Sequence, residues 1–593
     1  MTEHGAALAL LHGCGLPQAW AGQNAWRILD TCFDPLRLLC TWQAWQLDAQ
    51  RPRLLHYVAL TPQPPTTASL QQAAAAVPEL QPLAQELGTQ CHGLLPGFHR
   101  LSLQQGQVLL TLCVGETQAL LREQQFEADS VWLDAGTSLD RWSAKALARC
   151  CRRGTLLAST VLTHAQSEVL AQCGFEMQGS QGRFHPRWEL KNTREPLRTR
   201  AATPGHCAVI GAGLAGASVA ATLARRGWQV QVLDAAPHPA AGASGLPAGL
   251  LVPHVSTDDS PRSRLSRAGV RLMLQELQRL LPRGQDWDAS GVLEHRIDGT
   301  PGLPSRWPDA GQQWSRIADP DFTRDTWAQG MRSGVPTLWH AQAAWVKPAC
   351  LIDAWLAQAG VRFCGQATVA SLRRDGDAWL LLDAAGQPLA TASHVVLANA
   401  CDAMRLLASS SKEMPGWQAR IDPLPAVHGM RGVLSWGLQQ AGDAAALPPF
   451  PVNGLGSLIP GVPLAQGLAW YAGATYERVE QATPDALHHQ TNRDKLRALL
   501  PAAAETLDPA FTSGHVHSWS GTRCVSTDRL PLAGPLDDGD SPTLWLSTAF
   551  GSRGLSLSLL CAELLAARLG AEPWPVETSL ARSLHATRPG SRP

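Results

Sequence analysis

Along most of this chain, short and almost wholly apolar runs alternate with longer segments of mixed polarity. Residues 54–60 (LLHYVAL), 108–115 (VLLTLCVG) and 130–136 (SVWLDAG) have the length and composition of strands buried on both faces. A helical stretch, LRLLCTWQAWQL, precedes the first of them, and GTLLAST and GFEMQG supply a last pair of strand segments. Strands alternating with helices predict a doubly wound α/β domain over residues 1–184. The proline-rich and charged stretch at 185–205 reads as a linker to the next domain.

The pattern is sharpest over residues 206–234, HCAVIGAGLAGASVAATLARRGWQVQVLD. The apolar run at 207–210 predicts a buried parallel strand, the alanine-rich segment ending at Gly227 a helix, and residues 229–233 a second strand. Between strand and helix stand Gly211, Gly213 and Gly216, in the spacing G-x-G-x-x-G. In a dinucleotide clamp the first glycine permits a tight turn, the second lets backbone approach a pyrophosphate, and the third lets helix pack on strand. Leu214 and Ala215 stand where the first helical N–H groups would meet that anion. Asp234 ends the second strand, placed to accept hydrogen bonds from a ribose.

A second glycine-rich pass comes next, with Gly242, Ala243, Ser244 and Gly245, then Gly249. Small residues let the backbone run beside a pyrophosphate and an isoalloxazine ring, and Ser244 can hydrogen-bond a phosphate. A nicotinamide-only domain needs no such pass, so the expected cofactor is FAD. Residues 250–254 are expected near the flavin ring. Residues 361–372 (VRFCGQATVASL) and the segment AWLLLDA read as further strands, with Val369 either contacting the adenine through its backbone or serving as an ordinary core valine. Residues 394–400 (HVVLANA) read as a return strand that brings Ala398 under the cofactor.

Between residues 416 and 514 the character changes. GMRGVLSWG, GLGSLIP and LAWYAGATYE alternate as antiparallel strands with one buried face. This predicts a sheet-rich substrate domain from residues 296–340 and 416–514, inserted among FAD-binding segments at 206–295, 341–415 and 515–580. Near the end, Gly551, Ser552, Arg553, Gly554 and Leu555 open a helix whose positive end is expected at the flavin pyrimidine, where negative charge develops on reduction. Residues 528–531 are expected to bring backbone alongside the ring. Arg553 and Arg523 are the catalytic candidates, because a guanidinium pairs bidentately with a substrate carboxylate. A structural salt bridge is the plainer use of Arg523. Tyr471 and Tyr476 could form a pocket wall or belong to the core.

The 593 residues exceed what one core accommodates, and 45% hydrophobic with 17% charged residues describes several globular domains. A formal net charge of zero excludes a global field as the means of binding nucleic acid and leaves only local basic patches. Two such clusters are Arg141, Lys145, Arg149, Arg152 and Arg153, and Arg187, Lys191, Arg194, Arg198 and Arg200; a solvated face is their plainer reading. The 14 cysteines include no C-x-x-C pair, which argues for reduced thiols and against a disulfide framework or a zinc site. The apolar run at 6–11 is short for a signal peptide, and the run at 555–569 is interrupted by Glu563 and Arg568. The expectation is a cytoplasmic protein without a membrane span or a bound metal.

The glycine pattern and the closing motifs WSGTRCVSTDRLPLAG and FGSRGLSLSLLCAELL resemble the D-amino-acid-oxidase and glycine-oxidase flavoproteins. The whole chain resembles the bifunctional tRNA wobble-uridine modification enzymes. Before the flavin half it carries, in order, Asp30-Thr31-Cys32-Phe33, Trp42-Gln43-Ala44, Trp132-Leu133-Asp134, Gly154-Thr155-Leu156 and GFEMQ at 174–178. The resemblance implies an α/β protein with an N-terminal Rossmann-like methyltransferase domain, then an FAD-binding Rossmann domain with an inserted antiparallel-sheet substrate domain. It also implies tRNA as partner and two steps on a wobble uridine. FAD accepts hydride from the carboxymethyl carbon of 5-carboxymethylaminomethyl-(2-thio)uridine, and hydrolysis of the imine releases glyoxylate. S-adenosylmethionine then methylates the exposed amine.

The chain departs from that pattern in its first half. Where the family has a glycine-rich turn, it has Asp34, Pro35 and Leu36. Where the second strand should end on an acid, it has Thr61 and Pro62. Asp134 remains as an amine-orienting or catalytic carboxylate, or as a plain strand-end cap. The expectation is a domain that keeps the fold and binds S-adenosylmethionine poorly or not at all. The alternative for the whole chain is an oxidase of free glycine-like amines with a non-catalytic N-terminal binding module.

Overall fold

The computed structural model describes all residues except 1–2, 135–138, 191–200, 320, 322–324, 412–415, 480–483, 538–540 and 589–593. Residues 191–200 take in Lys191, Arg194, Arg198 and Arg200 of the second basic cluster, and 135–138 take in the expected end of the strand at 130–136; both lie outside the described residues.

The chain divides into two compact units, the first built from residues 1–203 together with Glu563–Arg582, the second mainly from residues 204–562. The first unit is a twisted sheet of eight strands, β1 (Ala25–Asp30), β2 (Leu54–Thr61), β3 (Gly97–Leu103), β4 (Val108–Val114), β5 (Ala128–Leu133), β6 (Cys151–Ser159), β7 (Phe175–Gln178) and β8 (Gln181–Phe184). Their spatial order is β3-β4-β2-β1-β5-β6-β8-β7. The five central strands run parallel, and the antiparallel pairings lie at the two edges. The all-apolar runs read from sequence are the interior strands, because every residue of β2, β4 and β5 is buried. Helices α1 (Glu3–Gly13) and α2 (Pro35–Leu47) cover one face, and Trp20, Trp42, Trp45, Tyr57 and Trp132 fill the space beneath them. The segment Glu563–Arg582 is part of this unit's packing. The buried Arg100 donates to the Pro573 carbonyl, Arg27 donates to that of Gly570 at 2.8 Å, and Thr578 Oγ1 donates to that of Glu123 at 2.7 Å.

The second unit begins with the predicted strand, helix and strand: β9 (His206–Ile210), α3 (Leu214–Arg225) and β10 (Gln229–Leu233). They belong to a sheet in the order Val361–Cys364, β10, β9, His394–Leu397, Leu544–Thr548 and Leu532–Pro535, parallel except for its last pair. A larger, mainly antiparallel sheet contains Val427–Leu438, Gly456–Leu464 and Gly467–Gly473, antiparallel to one another as the alternating pattern predicted. His517–Ser526 pairs along nearly the whole of Val427–Leu438 in the same sheet. Helix Asp485–Leu499 packs on it, its buried Leu496 and Leu499 sharing a core with Leu458, Trp470 and Ala472.

One predicted strand is broken in two. Residues 361–372 form Val361–Cys364 in the parallel sheet and the start of Ser371–Asp375 in a separate antiparallel one. The break is steric. A Cβ on Gly365 would meet the Pro237 carbonyl at 2.5 Å, and Gln366 has φ +56°. Ala367 N donates to Asp234 O at 2.8 Å, tying the intervening loop over the end of β10.

Candidate active site

The second sheet reverses its order between β9 and His394–Leu397, and a cavity of about 1210 Å³ opens beyond the C-terminal ends of these strands. Drug-sized ligands occupy roughly 300–1,000 Å³, so this space suits a dinucleotide with a substrate beside it. Its lining includes Gly211, Gly213, Leu214, Ala215 and Asp234 from the first turn, and Gly242, Ala243, Ser244 and Gly249 from the second glycine-rich pass. Val369 and Ala398 line it from the loops after Cys364 and Leu397, and Gly551, Ser552, Gly554 and Leu555 from the start of helix α4 (Gly554–Leu569). Gly216 and Gly245 sit behind the wall.

The glycine spacing follows from contact distances. A Cβ on Gly211 would lie 2.7 Å from the Ala398 carbonyl, and its φ of +104° disfavours any side chain. A Cβ on Gly216 would lie 1.8 Å from the Gly211 carbonyl, so only glycine lets α3 pack this close. Gly213 caps α3 without a side-chain hydrogen bond, and Leu214 N donates to Ser244 Oγ at 3.0 Å. With its oxygen accepting there, the Ser244 hydroxyl is left to donate into the cavity. Asp234 Oδ2 accepts from Ala212 N at 2.7 Å and Oδ1 from Ala236 N at 2.9 Å, which fixes the carboxylate at the end of β10.

Both candidate arginines face this cavity. Arg553 is held by burial, and then by the neighbouring Arg262, at a pKa of about 10, below the usual guanidinium range. Its Nη1 is buried with no hydrogen-bond partner, and so is the Nη1 of Arg523. The Arg523 guanidinium lies 4.5 Å over the Tyr476 ring, and its Nη1 would be 2.5 Å from a Cβ on Gly432. Buried donors lacking a partner are costly, and a bound carboxylate removes that cost. His254 lines the same space with Nδ1 3.0 Å from Ser263 Oγ. Burial, with Arg553 and Arg262 nearby, lowers it to about 4, so its imidazole is neutral at pH 7.

Five charged residues of the lining had no motif to announce them: Glu294, Arg296, Asp402, Arg405 and Lys495. Burial opposes ionisation of Glu294, but His340 and Arg296 outweigh it and hold its carboxyl at about 2. Lys495 donates to the Ala474 carbonyl at 3.0 Å, and burial lowers its pKa. The tyrosines separate: Tyr476 lines the cavity, whereas Tyr471 is buried in a core with Leu434 and Ile459. Residues 528–531 are not among the lining; Asp528 pairs instead with Arg588, Oδ2 to Nε at 2.7 Å.

Asp134 belongs to the first unit, where Arg37 pairs with it at 3.0 Å. In the same unit Arg152 is tied to Asp129 at 2.6 Å, and Arg153 donates to the carbonyls of Pro186 and Trp188. Arg141, Lys145 and Arg149 share one exposed face of helix Arg141–Arg149, beside the exposed Trp142; Arg187 is exposed as well. All 14 cysteines are free thiols. Among the described residues no helix is long and apolar enough to cross a membrane.

Residues 206–568 match the family of FAD dependent oxidoreductases, the span that contains the cavity. Over nearly its whole length the chain is similar to curated proteins named tRNA 5-methylaminomethyl-2-thiouridine biosynthesis bifunctional protein MnmC. That of Albidiferax ferrireducens is 50% identical over 98% of this chain and 96% of its own. The protein of Cupriavidus necator is 34% identical over 99% of this chain and 94% of its own. Among solved structures, glycine oxidase from Geobacillus kaustophilus aligns with a TM-score of 0.49 at 18% identity, covering 65% of this chain and 99% of that one. By its oxidoreductase half and by this end-to-end identity, the chain belongs to the family of bifunctional tRNA 5-methylaminomethyl-2-thiouridine biosynthesis proteins, with an FAD-dependent oxidoreductase in its second unit.

Proposed function

We propose that the second unit removes the carboxymethyl group of 5-carboxymethylaminomethyl-(2-thio)uridine at the wobble position of tRNA, in the cytoplasm. The observation that carries this reading is the pair of arginines, Arg523 and Arg553, each with a buried unpartnered Nη1 in the cavity that the glycine-rich turns also line. A secondary amine bearing a carboxymethyl arm presents the carboxylate such donors need.

The residues fit FAD. Gly211 and Gly213 leave room for backbone approach, Leu214 and Ala215 begin a helix whose first N–H is taken by the lining Ser244 hydroxyl, and Asp234 offers a fixed carboxylate for a ribose. FAD when bound supplies the acceptor for the hydride equivalent, so the protein is asked only to bind, orient and exclude water. Arg553 and Arg523 hold the carboxylate and aim the carbon beside it. The neutral His254 adds no positive charge next to the amine, which must lose its proton before oxidation. The imine so formed hydrolyses to glyoxylate and 5-aminomethyl-(2-thio)uridine. Tyr476, more than half exposed at 54%, stands where a base could stack.

The test is to give the full-length protein either tRNA bearing the carboxymethylaminomethyl base or free glycine, and to assay glyoxylate. Release from tRNA alone supports the reading; release from glycine alone returns the chain to free-amine oxidation.

A further inference from the structure

The first unit has the topology of a cofactor-binding domain with its crevice closed. Its sheet order reverses between β1 and β5, so a ligand of such a fold belongs beyond the C-terminal ends of those strands. β1 ends on Asp30, Asp134 comes directly after β5, and between them sits the buried guanidinium of Arg37 from the first turn of α2. Arg37 Nη2 lies 3.2 Å from Asp30 Oδ1 and also donates to the Cys32 carbonyl, while Nη1 donates to Asp134 Oδ2 at 3.0 Å. The other Asp30 oxygen accepts from the Tyr57 hydroxyl at 2.7 Å. These carboxylates are spent on the protein's own groups.

The turn after β1 is closed as well. Asp34 caps α2, its Oδ1 accepting from Leu36 N at 2.8 Å and Arg37 N at 3.1 Å, and Pro35 has no N–H to give. Backbone bonds from Thr31 N to Trp132 O at 3.0 Å and from Phe33 N to Leu60 O at 2.7 Å stitch the turn to the strands on either side. At the end of β2, where an acid would hold a ribose, Thr61 bonds to the Gln63 carbonyl. S-adenosylmethionine asks for close backbone approach, an acceptor for its ammonium and a carboxylate for its ribose. Here the first is blocked by Asp34 and Pro35, the second is neutralised by Arg37, and the third position holds Thr61.

We propose that the first unit does not bind S-adenosylmethionine and that the protein releases tRNA at the primary-amine stage. Methylation then falls to a separate N-methyltransferase. In that reaction the methyl carbon passes from the sulfonium to the amine nitrogen, the nitrogen gives up a proton, and S-adenosylhomocysteine departs. The claim about the released product rests on the oxidative reading above; the claim about the closed crevice does not.

The experiment titrates full-length protein with S-adenosylmethionine by calorimetry. It also supplies methyl-labelled S-adenosylmethionine with tRNA whose 5-aminomethyl-2-thiouridine was prepared without this enzyme. No saturable binding up to millimolar ligand and no label in the tRNA are expected. Micromolar affinity, or label in the tRNA, overturns the proposal. Because the amine is supplied ready-made, an inactive oxidase cannot produce either result. A parallel incubation that leaves the carboxymethyl group intact would sink the oxidative reading alone.

Discussion

Arg37 and Asp134 meet at 3.0 Å across the crevice of the first sheet, although 97 residues separate them in sequence. The same guanidinium is the counter-ion of Asp30, which burial pushes up to about 6 against the pull of Arg37 and the Tyr57 hydroxyl. Replacing Arg37 by Met leaves that carboxyl buried and unpaired, at a cost of about 3 kcal/mol. The pH dependence has a definite sign. Without Arg37 the folded pKa of Asp30 rises further above its unfolded value, so stability is retained in acid and lost as pH rises through the folded pKa. Urea midpoints should therefore show a larger deficit for Arg37→Met at pH 8 than at pH 5. An equal deficit at both would contradict the buried ion triad.

Gly211→Ala should impair flavin retention. The added Cβ meets the Ala398 carbonyl at 2.7 Å on a backbone with φ +104°, so the turn must open where the pyrophosphate is expected to lie. A strain of about 1–2 kcal/mol corresponds to roughly a tenfold weaker FAD affinity. Flavin content after purification and a fluorescence titration would measure it. Unaltered affinity would place the cofactor elsewhere.

Arg553→Met and Arg523→Met should each lower kcat/KM for the modified tRNA. Losing a charge-assisted hydrogen bond costs about 1.5–3 kcal/mol, or roughly 10- to 100-fold. Arg→Lys at either position should restore only part, since an ammonium lacks the bidentate fork. Steady-state assays with flavin content held equal distinguish lost substrate binding from lost cofactor. Wild-type kinetics in both Met variants would remove the arginines from the site.

Arg141, Lys145 and Arg149 lie four residues apart on one exposed helix face, and Trp142 beside them is 61% exposed. If they contact tRNA phosphates, the triple glutamine variant should weaken binding and reduce the salt slope by about 2–3. Filter binding across a salt series reads this directly. An unchanged slope would assign them to an ordinary solvated face.

The parts of this architecture that could be read in advance are those encoded locally. The run HCAVIGAGLAGASVAATLARRGWQVQVLD gives strand, helix and strand because apolar period, helix formers and glycine spacing agree over 29 consecutive residues (206–234). The single strand expected at 361–372 fails because Gly365 and Gln366 force a turn whose cause, the Pro237 carbonyl, lies far away in sequence. Glu294 and Arg296 reach the cavity from one segment and Lys495 from a distant helix, so no local spacing could announce the three together. Arg37 is the sharpest case. The loss of the glycine turn was visible at Asp34 and Pro35, but the cation between Asp30 and Asp134 emerges only once β1 and β5 are neighbours.

The most direct test incubates the FAD-loaded, full-length protein with tRNA carrying 5-carboxymethylaminomethyl-2-thiouridine, with and without S-adenosylmethionine, and weighs the digested nucleosides by mass spectrometry. Conversion to 5-aminomethyl-2-thiouridine is expected in both samples, with no methyl gained. An unaltered carboxymethylaminomethyl base in both would rule out oxidative removal of the carboxymethyl group by the second unit.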